Sequence, residues 1–125
     1  MIYLDTHVLP ALGRGDLALF SKDARRLMDR EPDLRISPMV LLELEYLKEI
    51  RRIRESSDVI VATLAAEIGL RVCDRSFEEI ARQATEESWT RDPFDRMIVA
   101  QARLAGAVLI TRDTTIQARY NKAIA

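Results

Sequence analysis

The sequence predicts an α/β fold in which a parallel sheet of about five strands is flanked by helices. Short runs rich in apolar residues alternate with longer helical segments along the chain, and the run AVLI at 107–110 is apolar at every position. Strands of that kind are buried on both faces, which is typical of a parallel sheet covered by helices. The length of 125 residues suits one domain, and we expect residues 1–125 to form it.

The predicted elements follow one another without a linker or a repeat. Strands are predicted at 2–5, 34–37, 70–73 and 107–111, with a short fifth at 122–125. Helices are predicted at 6–13, 21–30, 38–54, 57–68, 77–87 and 94–105. Pro38 suits the first position of its helix, where the missing N–H is not needed. Ser76 and Glu79 have the spacing of a capping box, and Gly106 is typical of a residue that ends a helix.

Composition limits the chemistry that the chain can perform. With Cys73 and His7 each the only residue of its type, the chain has no intrachain disulfide, no cysteine metal cage and no histidine pair. The net charge of −1 gives no global positive field to indicate a nucleic-acid partner. No segment has the ~18 apolar residues of a membrane span, and the N-terminus lacks a signal-peptide pattern, so we expect a cytoplasmic protein. Any catalysis must then come from carboxylates.

Two acidic residues lie at the ends of predicted strands. Asp5 closes the first strand, and Asp113 follows the fourth by two residues. Because ligands of open parallel sheets bind outside the carboxyl ends of the strands, both are candidates for a shared site. Each alone is also explained by structure, since Asp commonly caps helices and starts turns.

A third acidic residue falls on an apolar helix face. On a helical wheel at ~100° per residue, Glu43 lies within an arc that carries Met39, Leu42, Tyr46, Leu47 and Ile50. The opposite, solvated arc carries Glu45, Lys48, Glu49 and Arg52. A charge on an apolar face needs a partner or a metal ion to offset its desolvation. The alternative is that Glu43 reaches water at the rim or pairs with an arginine.

A fourth acidic residue belongs to the segment DPFD. Asp92 suits the N-cap, Pro93 the first helical position and Asp95 the third, where a carboxylate interacts well with the helix dipole. Capping alone could explain both acids. Asp95, however, shares its face with the apolar residues Ile98, Val99 and Ala102. We therefore expect Asp92 to cap the helix and Asp95 to point inward.

These four carboxylates could converge on one site. Four carboxylates within a few Å cannot all stay ionised unless a cation holds them. Oxygen ligands favour Mg²⁺ or Mn²⁺ over zinc, which usually recruits His or Cys.

The same segments resemble the PIN-domain ribonucleases, particularly the toxins of bacterial and archaeal VapBC-type toxin–antitoxin pairs. The resemblance covers nearly the whole chain. It is carried by Asp5-Thr6 at the end of the first strand, ISPMVLLELEYL with Glu43, DPFDRMIVAQA with Asp95, and LITRDTTI with Asp113. It implies a PIN-like three-layer fold, with a parallel sheet of about five strands between helices.

The resemblance also implies a reaction and its residues. Asp5, Glu43, Asp95 and Asp113 would bind Mg²⁺ or Mn²⁺ and catalyse endonucleolytic cleavage of RNA by water that the cation activates. Thr6 and Thr111 would support these acids by hydrogen bonds. Arg96 and Arg112 lie beside the acids and could contact phosphate, although Arg112 is equally well explained as a solvated turn residue.

Such toxins are usually homodimers inhibited by a small antitoxin, so the resemblance implies both partners. A basic residue of the antitoxin could neutralise the acidic site in place of the metal ion. Apolar residues between Pro38 and Gly69 could form a groove for a partner, or they could pack on each other as a helical hairpin. The residues concerned are Leu41, Val59, Ile60 and Val61.

Two other classes of protein remain open. A phospho-accepting receiver domain also gathers acids and Mg²⁺ at the strand ends of a five-stranded parallel sheet, and Asp74 could stand for its phosphorylated residue. No lysine follows the strand AVLIT, however, and the receiver alternative does not explain Glu43 or Asp95. The other alternative is a PIN-like module that binds without catalysis.

Overall fold

The structure, a computed structural model, describes all 125 residues of the chain. Its centre is a sheet of five parallel strands in the order β3-β2-β1-β4-β5. The strands are β1 (Ile2–Leu4), β2 (Leu34–Ile36), β3 (Arg71–Val72), β4 (Val108–Ile110) and β5 (Ala123–Ile124). The predicted α/β fold with a five-stranded parallel sheet is therefore confirmed, and each strand is slightly shorter than its predicted range.

Strand β1 occupies the middle of the sheet and fixes its register. Ile2 pairs with Leu34 of β2 on one side and with Val108 of β4 on the other. All three residues of β1 are buried. Because successive side chains of a strand point to opposite faces, both faces of the sheet are covered.

Seven α-helices surround the sheet. They are α1 (Val8–Gly13), α2 (Lys22–Arg30), α3 (Pro38–Glu49), α4 (Ser57–Ile68), α5 (Phe77–Ala84), α6 (Pro93–Ala105) and α7 (Thr114–Arg119). Helix α4 packs against α1 and α3, and α6 packs against α5 and α3. The short helix α7 and a 3₁₀ turn at Leu17–Leu19 were not predicted. None of the helices is long and apolar enough to cross a membrane.

The predicted helix ends are confirmed in part. Gly106 ends α6 in the left-handed conformation, with φ +61°. The hydroxyl of Ser76 accepts a hydrogen bond from the backbone N–H of Glu79, as a capping box requires. The carboxylate of Glu79 does not complete the box, because it pairs with Arg75 at 3.2 Å. Helix α5 ends at Ala84 rather than near residue 87.

Helix α3 ends at Glu49, well before the predicted end at residue 54. Its last turn closes with two hydrogen bonds, from Arg51 N–H to the Lys48 carbonyl at 2.9 Å and from Arg52 N–H to the Leu47 carbonyl at 2.8 Å. This is a Schellman motif, in which the residue after the C-cap adopts the left-handed conformation. That residue is Arg51, with φ +63°. Glycine is usual at this place, so the sequence gives no signal for the stop.

The apolar arc predicted for α3 is not its core face. Val40 and Leu44 are buried, whereas Leu42 and Tyr46 are 58% and 49% exposed. Glu43 lies half-buried between these two faces. Glu45 is not merely solvated as predicted, because its carboxylate accepts a 2.7 Å hydrogen bond from the backbone N–H of Ser57 at the start of α4.

The four apolar residues considered for a partner groove are divided between two environments. Ile60 is buried in the core, and Leu41 and Val61 pack against it half-buried. Only Val59 is exposed, at 52%. Three of the four therefore belong to a packed α3–α4 hairpin.

The strand order excludes the receiver alternative. Receiver domains have the order 2-1-3-4-5, in which β1 and β3 are neighbours. In this chain β1 lies between β2 and β4, and β3 forms an edge.

Candidate active site

The acids predicted to converge do line one cavity at the carboxyl ends of β1 and β4. This acidic cavity has a volume of about 270 Å³. Its lining consists of Asp5, Thr6, His7, Glu43, Leu47, Asp92, Asp95 and Asp113. The end of β1 and helices α3 and α6 supply acids to it, and the fourth predicted acid comes from the N-cap of α7. All four predicted acids are thus brought together.

Asp5 is fixed from two directions. Its Oδ1 accepts a 2.8 Å hydrogen bond from the backbone N–H of Thr6, and its Oδ2 accepts one of 2.7 Å from the hydroxyl of Thr111. The Asp5 backbone N–H also donates to the Ile110 carbonyl, which ties the end of β1 to the end of β4. Asp5, Thr6 and Thr111 are all buried, so the carboxylate is held rigidly at the bottom of the cavity.

Glu43 enters the cavity from α3 and is held by Thr6. The Thr6 hydroxyl donates a hydrogen bond to Oε1 of Glu43. Burial raises the pKa of Glu43, the Thr6 hydrogen bond opposes that rise, and the nearby negative charges of Asp5 and Asp92 add to it. Glu43 has no arginine or lysine partner, so the predicted alternative of a structural ion pair does not hold.

Asp95 enters the cavity from the first turn of α6, and its pKa is strongly raised. Burial raises its pKa to about 7, and the negative charges of Asp92, Asp5, Asp113 and Glu43 add to the rise. The helix face that carries Asp95 continues into buried residues, as predicted; these are Ile98, Val99 and Ala102.

Asp92 has two roles, of which the sequence indicated one. Its Oδ1 caps α6 by accepting hydrogen bonds from the N–H groups of Phe94 and Asp95, at 2.8 and 3.2 Å. It also lines the acidic cavity and is the fifth carboxylate there. Capping accounted for Asp92 in the sequence, so its place in the cavity was missed.

Asp113 is tied to the same hydroxyl that holds Asp5. The backbone N–H of Asp113 donates a 3.0 Å hydrogen bond to the Thr111 hydroxyl. Oδ1 of Asp113 caps α7 by accepting from the N–H groups of Thr115 and Ile116. The helix-capping explanation for Asp113 is therefore correct, and its place in the acidic cavity is also correct.

His7 was not predicted as a cavity residue. Its Nε2 accepts a 2.9 Å hydrogen bond from the backbone N–H of Arg112, which leaves the proton of a neutral ring on Nδ1. Nδ1 lies 3.6 Å from Oδ2 of Asp5. His7 thus faces the acids with a group that can donate a hydrogen bond.

The two arginines predicted to contact phosphate lie at the margin of the site. Neither lines the acidic cavity. The Arg96 Nε donates a 2.8 Å hydrogen bond to the Thr90 carbonyl and so holds the segment before α6. The Arg112 side chain is exposed and forms no ion pair. A phosphate contact by either residue stays a prediction.

The charges of the acidic cavity are not balanced within the chain. Five carboxylates line it, and no arginine or lysine does. Carboxylate and hydroxyl oxygens are the ligands that Mg²⁺ and Mn²⁺ prefer, so the donor set suits such a cation. No three His, Cys, Asp or Glu side chains stand close enough together to hold a metal ion as they are now positioned. The acids therefore surround a space for a cation without forming a complete ligand shell.

Three solved structures have the same fold over almost their whole length. A toxin–antitoxin complex from Klebsiella pneumoniae aligns with TM-score 0.68 and 21% identity, over 100% of this chain and 97% of the other. VapBC2 from Rickettsia felis, bound to a DNA fragment from its promoter, aligns with TM-score 0.64 and 21% identity, over 100% and 98%. VapC20 from Mycobacterium tuberculosis, a sarcin–ricin loop cleaving toxin, aligns with TM-score 0.67 and 22% identity, over 95% of each chain.

Comparison of the sequence itself gives a family but no individual relative. A search of curated proteins finds no match. The family description "PIN domain" matches residues 2–122, which is nearly the whole chain. With the sheet order and the acidic cavity, this match leads to one conclusion: the chain belongs to the PIN domain family.

Proposed function

We propose that the protein is a divalent-metal-dependent endoribonuclease and the toxin of a type II toxin–antitoxin system. The observation that carries the proposal is the acidic cavity, which is lined by five carboxylates and by no arginine or lysine. Such an arrangement is costly unless a cation binds it. A cluster of carboxylates that destabilises the fold, placed at the carboxyl ends of a parallel sheet, indicates a functional site.

Asp5, Glu43, Asp95 and Asp113 are the residues that would hold Mg²⁺ or Mn²⁺. Mg²⁺ keeps several of its waters and is commonly bound through only one or two carboxylates, so the remaining acids can contact it through water. This agrees with a cavity in which no three side chains already converge on one point. When bound, the cation lowers the pKa of water and stabilises negative charge on phosphate oxygens.

The residues around the acids prepare the site for that cation. Thr6 and Thr111 fix Asp5 and Glu43, so binding does not require these two carboxylates to be ordered from a mobile state. Asp95 can hold a proton near neutral pH in the absence of the cation, since its pKa is about 7. Binding of a cation favours its ionised form, so metal binding and proton release from Asp95 are coupled.

The toxin assignment is supported by the structural neighbours. Those from Klebsiella pneumoniae and Rickettsia felis are described as toxin–antitoxin complexes, and that from Mycobacterium tuberculosis as a toxin that cleaves the sarcin–ricin loop. We accordingly propose an RNA substrate, a small antitoxin encoded next to this protein, a homodimeric toxin, and a cytoplasmic location. A basic side chain of the antitoxin would neutralise the acidic cavity in the inhibited complex.

The nuclease is tested by incubating the purified protein with a mixed pool of structured and single-stranded RNA. We expect cleavage with Mg²⁺ or Mn²⁺, none in excess EDTA, and none with Asp95→Asn, which removes a negative charge from the cavity without changing its shape. Asp74→Asn is the matched control, because Asp74 is exposed and does not line the acidic cavity. Undiminished cleavage in EDTA would contradict the metal mechanism. Absence of cleavage by a folded protein that still binds Mn²⁺ and RNA would favour the non-catalytic binding module.

The toxin is tested separately by co-expression with the neighbouring reading frame. We expect a stable complex in which RNA cleavage is suppressed, and a mass consistent with a toxin dimer. A monomer that stays fully active beside its neighbour would contradict the toxin assignment and leave the nuclease assignment intact.

A further inference from the structure

A second cavity, distinct from the acidic one, is lined by arginines. It has a volume of about 560 Å³ and lies where the C-terminal end of α1 meets the α3–α4 loop and α4. Arg14, Arg52 and Arg54 contribute to its lining, and Glu55 is the only acid there. None of the three arginines belongs to an ion pair, although six other arginines of the chain pair with Asp or Glu. Three exposed guanidinium groups around one cavity therefore have a single carboxylate to balance them.

The backbone of this arginine cavity is well defined. Arg51 takes the left-handed conformation, and the hydrogen bond from Arg52 N–H to the Leu47 carbonyl closes the end of α3. Between Arg52 and Arg54, the side chain of Ile53 packs against the main hydrophobic core. The loop that carries the two arginines is therefore held at Arg52 by a backbone hydrogen bond and at Ile53 by packing. Both arginines line the same cavity as Arg14.

The arginine cavity lies next to the acidic cavity along two elements. His7 lines the acidic cavity and Pro10, three residues later on α1, lines the arginine cavity. Leu47 lines the acidic cavity, and its backbone carbonyl accepts a hydrogen bond from the backbone N–H of Arg52 in the arginine cavity. From His7 to Arg14 the helical rise of 1.5 Å per residue gives about 10 Å. That is about three nucleotides of a stacked strand, at ~3.4 Å of axial rise each.

We propose that the arginine cavity binds backbone phosphates of the RNA substrate, a few nucleotides from the bond that is cut. The inference rests on the proposed ribonuclease activity, because it assigns a place to that same substrate. A chain with net charge −1 and five carboxylates at its centre repels a polyanion, so the substrate needs a local cluster of positive charge near the acids. Guanidinium groups suit this role, because they bind phosphate in a bidentate manner and stay charged.

The position of the arginine cavity favours phosphate over an acidic peptide. The arginine cavity shares no lining residue with the acidic cavity, but both lie along α1 and the end of α3, about three nucleotides apart, so one bound strand would reach both. Contacts to phosphate position a strand without reading its sequence, so this cavity would act on any RNA that the acidic cavity cleaves.

The test measures RNA binding without cleavage. In the Asp95→Asn background, binding of a fluorescent single-stranded RNA is followed by anisotropy at several KCl concentrations. We expect Arg52→Ala/Arg54→Ala to weaken binding by about tenfold and to reduce the slope of log K against log salt by about 0.7 for each phosphate that is no longer bound. Arg52→Lys/Arg54→Lys should keep most of the slope. Arg30→Ala is the control, since Arg30 is exposed, forms no ion pair, and lines neither the acidic cavity nor the arginine cavity.

The outcomes separate this inference from the proposed function. Unchanged affinity and salt slope in the double alanine variant would overturn the arginine subsite, even if the wild type cleaves RNA. Loss of antitoxin binding with RNA binding intact would also overturn it and assign the cavity to the protein partner. A reduced slope in a protein whose wild type cuts no RNA would support the subsite and contradict the nuclease.

Discussion

The hydroxyl of Thr111 donates a 2.7 Å hydrogen bond to Oδ2 of Asp5, a residue 106 positions earlier in the chain. The same hydroxyl oxygen accepts a 3.0 Å hydrogen bond from the backbone N–H of Asp113. One buried side chain thus holds an acid at the end of β1 and positions the backbone of an acid that follows β4. Thr111 needs no contact with the substrate to influence the reaction.

Replacement of Thr111 by valine should reduce cleavage far more than it reduces stability. Valine keeps the shape but lacks the hydroxyl, so Asp5 gains freedom and the Asp113 N–H loses its acceptor. By analogy with other groups that orient metal ligands, we expect a loss of about 10- to 100-fold in activity or metal affinity. Thr111→Ser, which keeps a hydroxyl, should retain most of the wild-type activity and metal affinity. Equal activities of the valine, serine and wild-type proteins would show that this hydroxyl has no positioning role.

Asp95→Asn should change how stability depends on pH in the absence of metal ions. The pKa of Asp95 rises from 3.8 to about 7 on folding, so between these values the folded state holds a proton that the unfolded state has released. The contribution of Asp95 to the free energy of unfolding is therefore fully present below about pH 4 and is lost as the pH rises through about 7. Glu43 acts in the same direction, since its pKa is also raised.

The measurement is urea unfolding in EDTA at pH 5 and pH 8. Wild type should lose about 1 to 2 kcal/mol more of its unfolding free energy over this range than Asp95→Asn, after allowance for the solvent screening of a half-buried group. Asp74→Asn should behave like wild type. Parallel pH profiles for wild type and Asp95→Asn would mean that Asp95 is ionised at neutral pH in the folded protein.

Millimolar Mn²⁺ should raise the melting temperature of the wild type. A ligand that binds only the folded state stabilises it by mass action, by about 2.7 kcal/mol at 100 times the dissociation constant. Glu43→Gln should fold at least as stably as wild type without metal, because it removes one of the clustered charges, and should show a smaller Mn²⁺ shift. Glu49→Gln, at an exposed position of the same helix, should keep the full shift. If Glu43→Gln unfolds the protein and Glu49→Gln does not, Glu43 has a structural role instead.

Arg51→Gly should stabilise the protein. An L-residue in the left-handed conformation is strained by about 1 to 2 kcal/mol, and glycine relieves this at some cost in unfolded-state entropy. We expect a net gain of about 0.5 to 1 kcal/mol in unfolding free energy by urea titration. Arg52→Gly should be destabilising, because Arg51 is the only non-glycine residue with positive φ. A loss of stability in Arg51→Gly would show that the arginine side chain contributes more than its backbone strain costs.

The parallel sheet and the convergence of the four acids could be predicted from the sequence, because the signals are local. They all place the acids at the carboxyl-terminal edge of the sheet. Asp5 and Asp113 follow strands, Asp95 lies in the first turn of a helix with a buried stripe, and parallel strands place their carboxyl ends together. Glu43 was placed correctly for a partly wrong reason. The wheel put it inside an apolar face, but Leu42 and Tyr46 on that face are exposed.

What the sequence could not show depends on tertiary contacts or on unusual residues. A wheel identifies apolar residues but not which of two apolar faces meets the sheet. The end of α3 was missed because arginine takes the position at which glycine would mark a stop. Helix α7 was missed because only Ile116 among its six residues is buried, so no apolar repeat appears. The second role of Asp92 was missed because a side chain that caps a helix gives no sign of what else it faces.

The pairing of β1 with β4 also has a consequence for biosynthesis. Thr111 is translated 106 residues after its partner Asp5, and the pairing of β1 with β4 joins two distant parts of the chain. Contacts of such large sequence separation form late, because the closure of a long loop must precede them. A nascent chain therefore has no assembled acidic cavity until β4 and Asp113 have been translated. Chains that terminate before β4 should therefore lack cleavage activity, because Thr111 and Asp113 are absent from them.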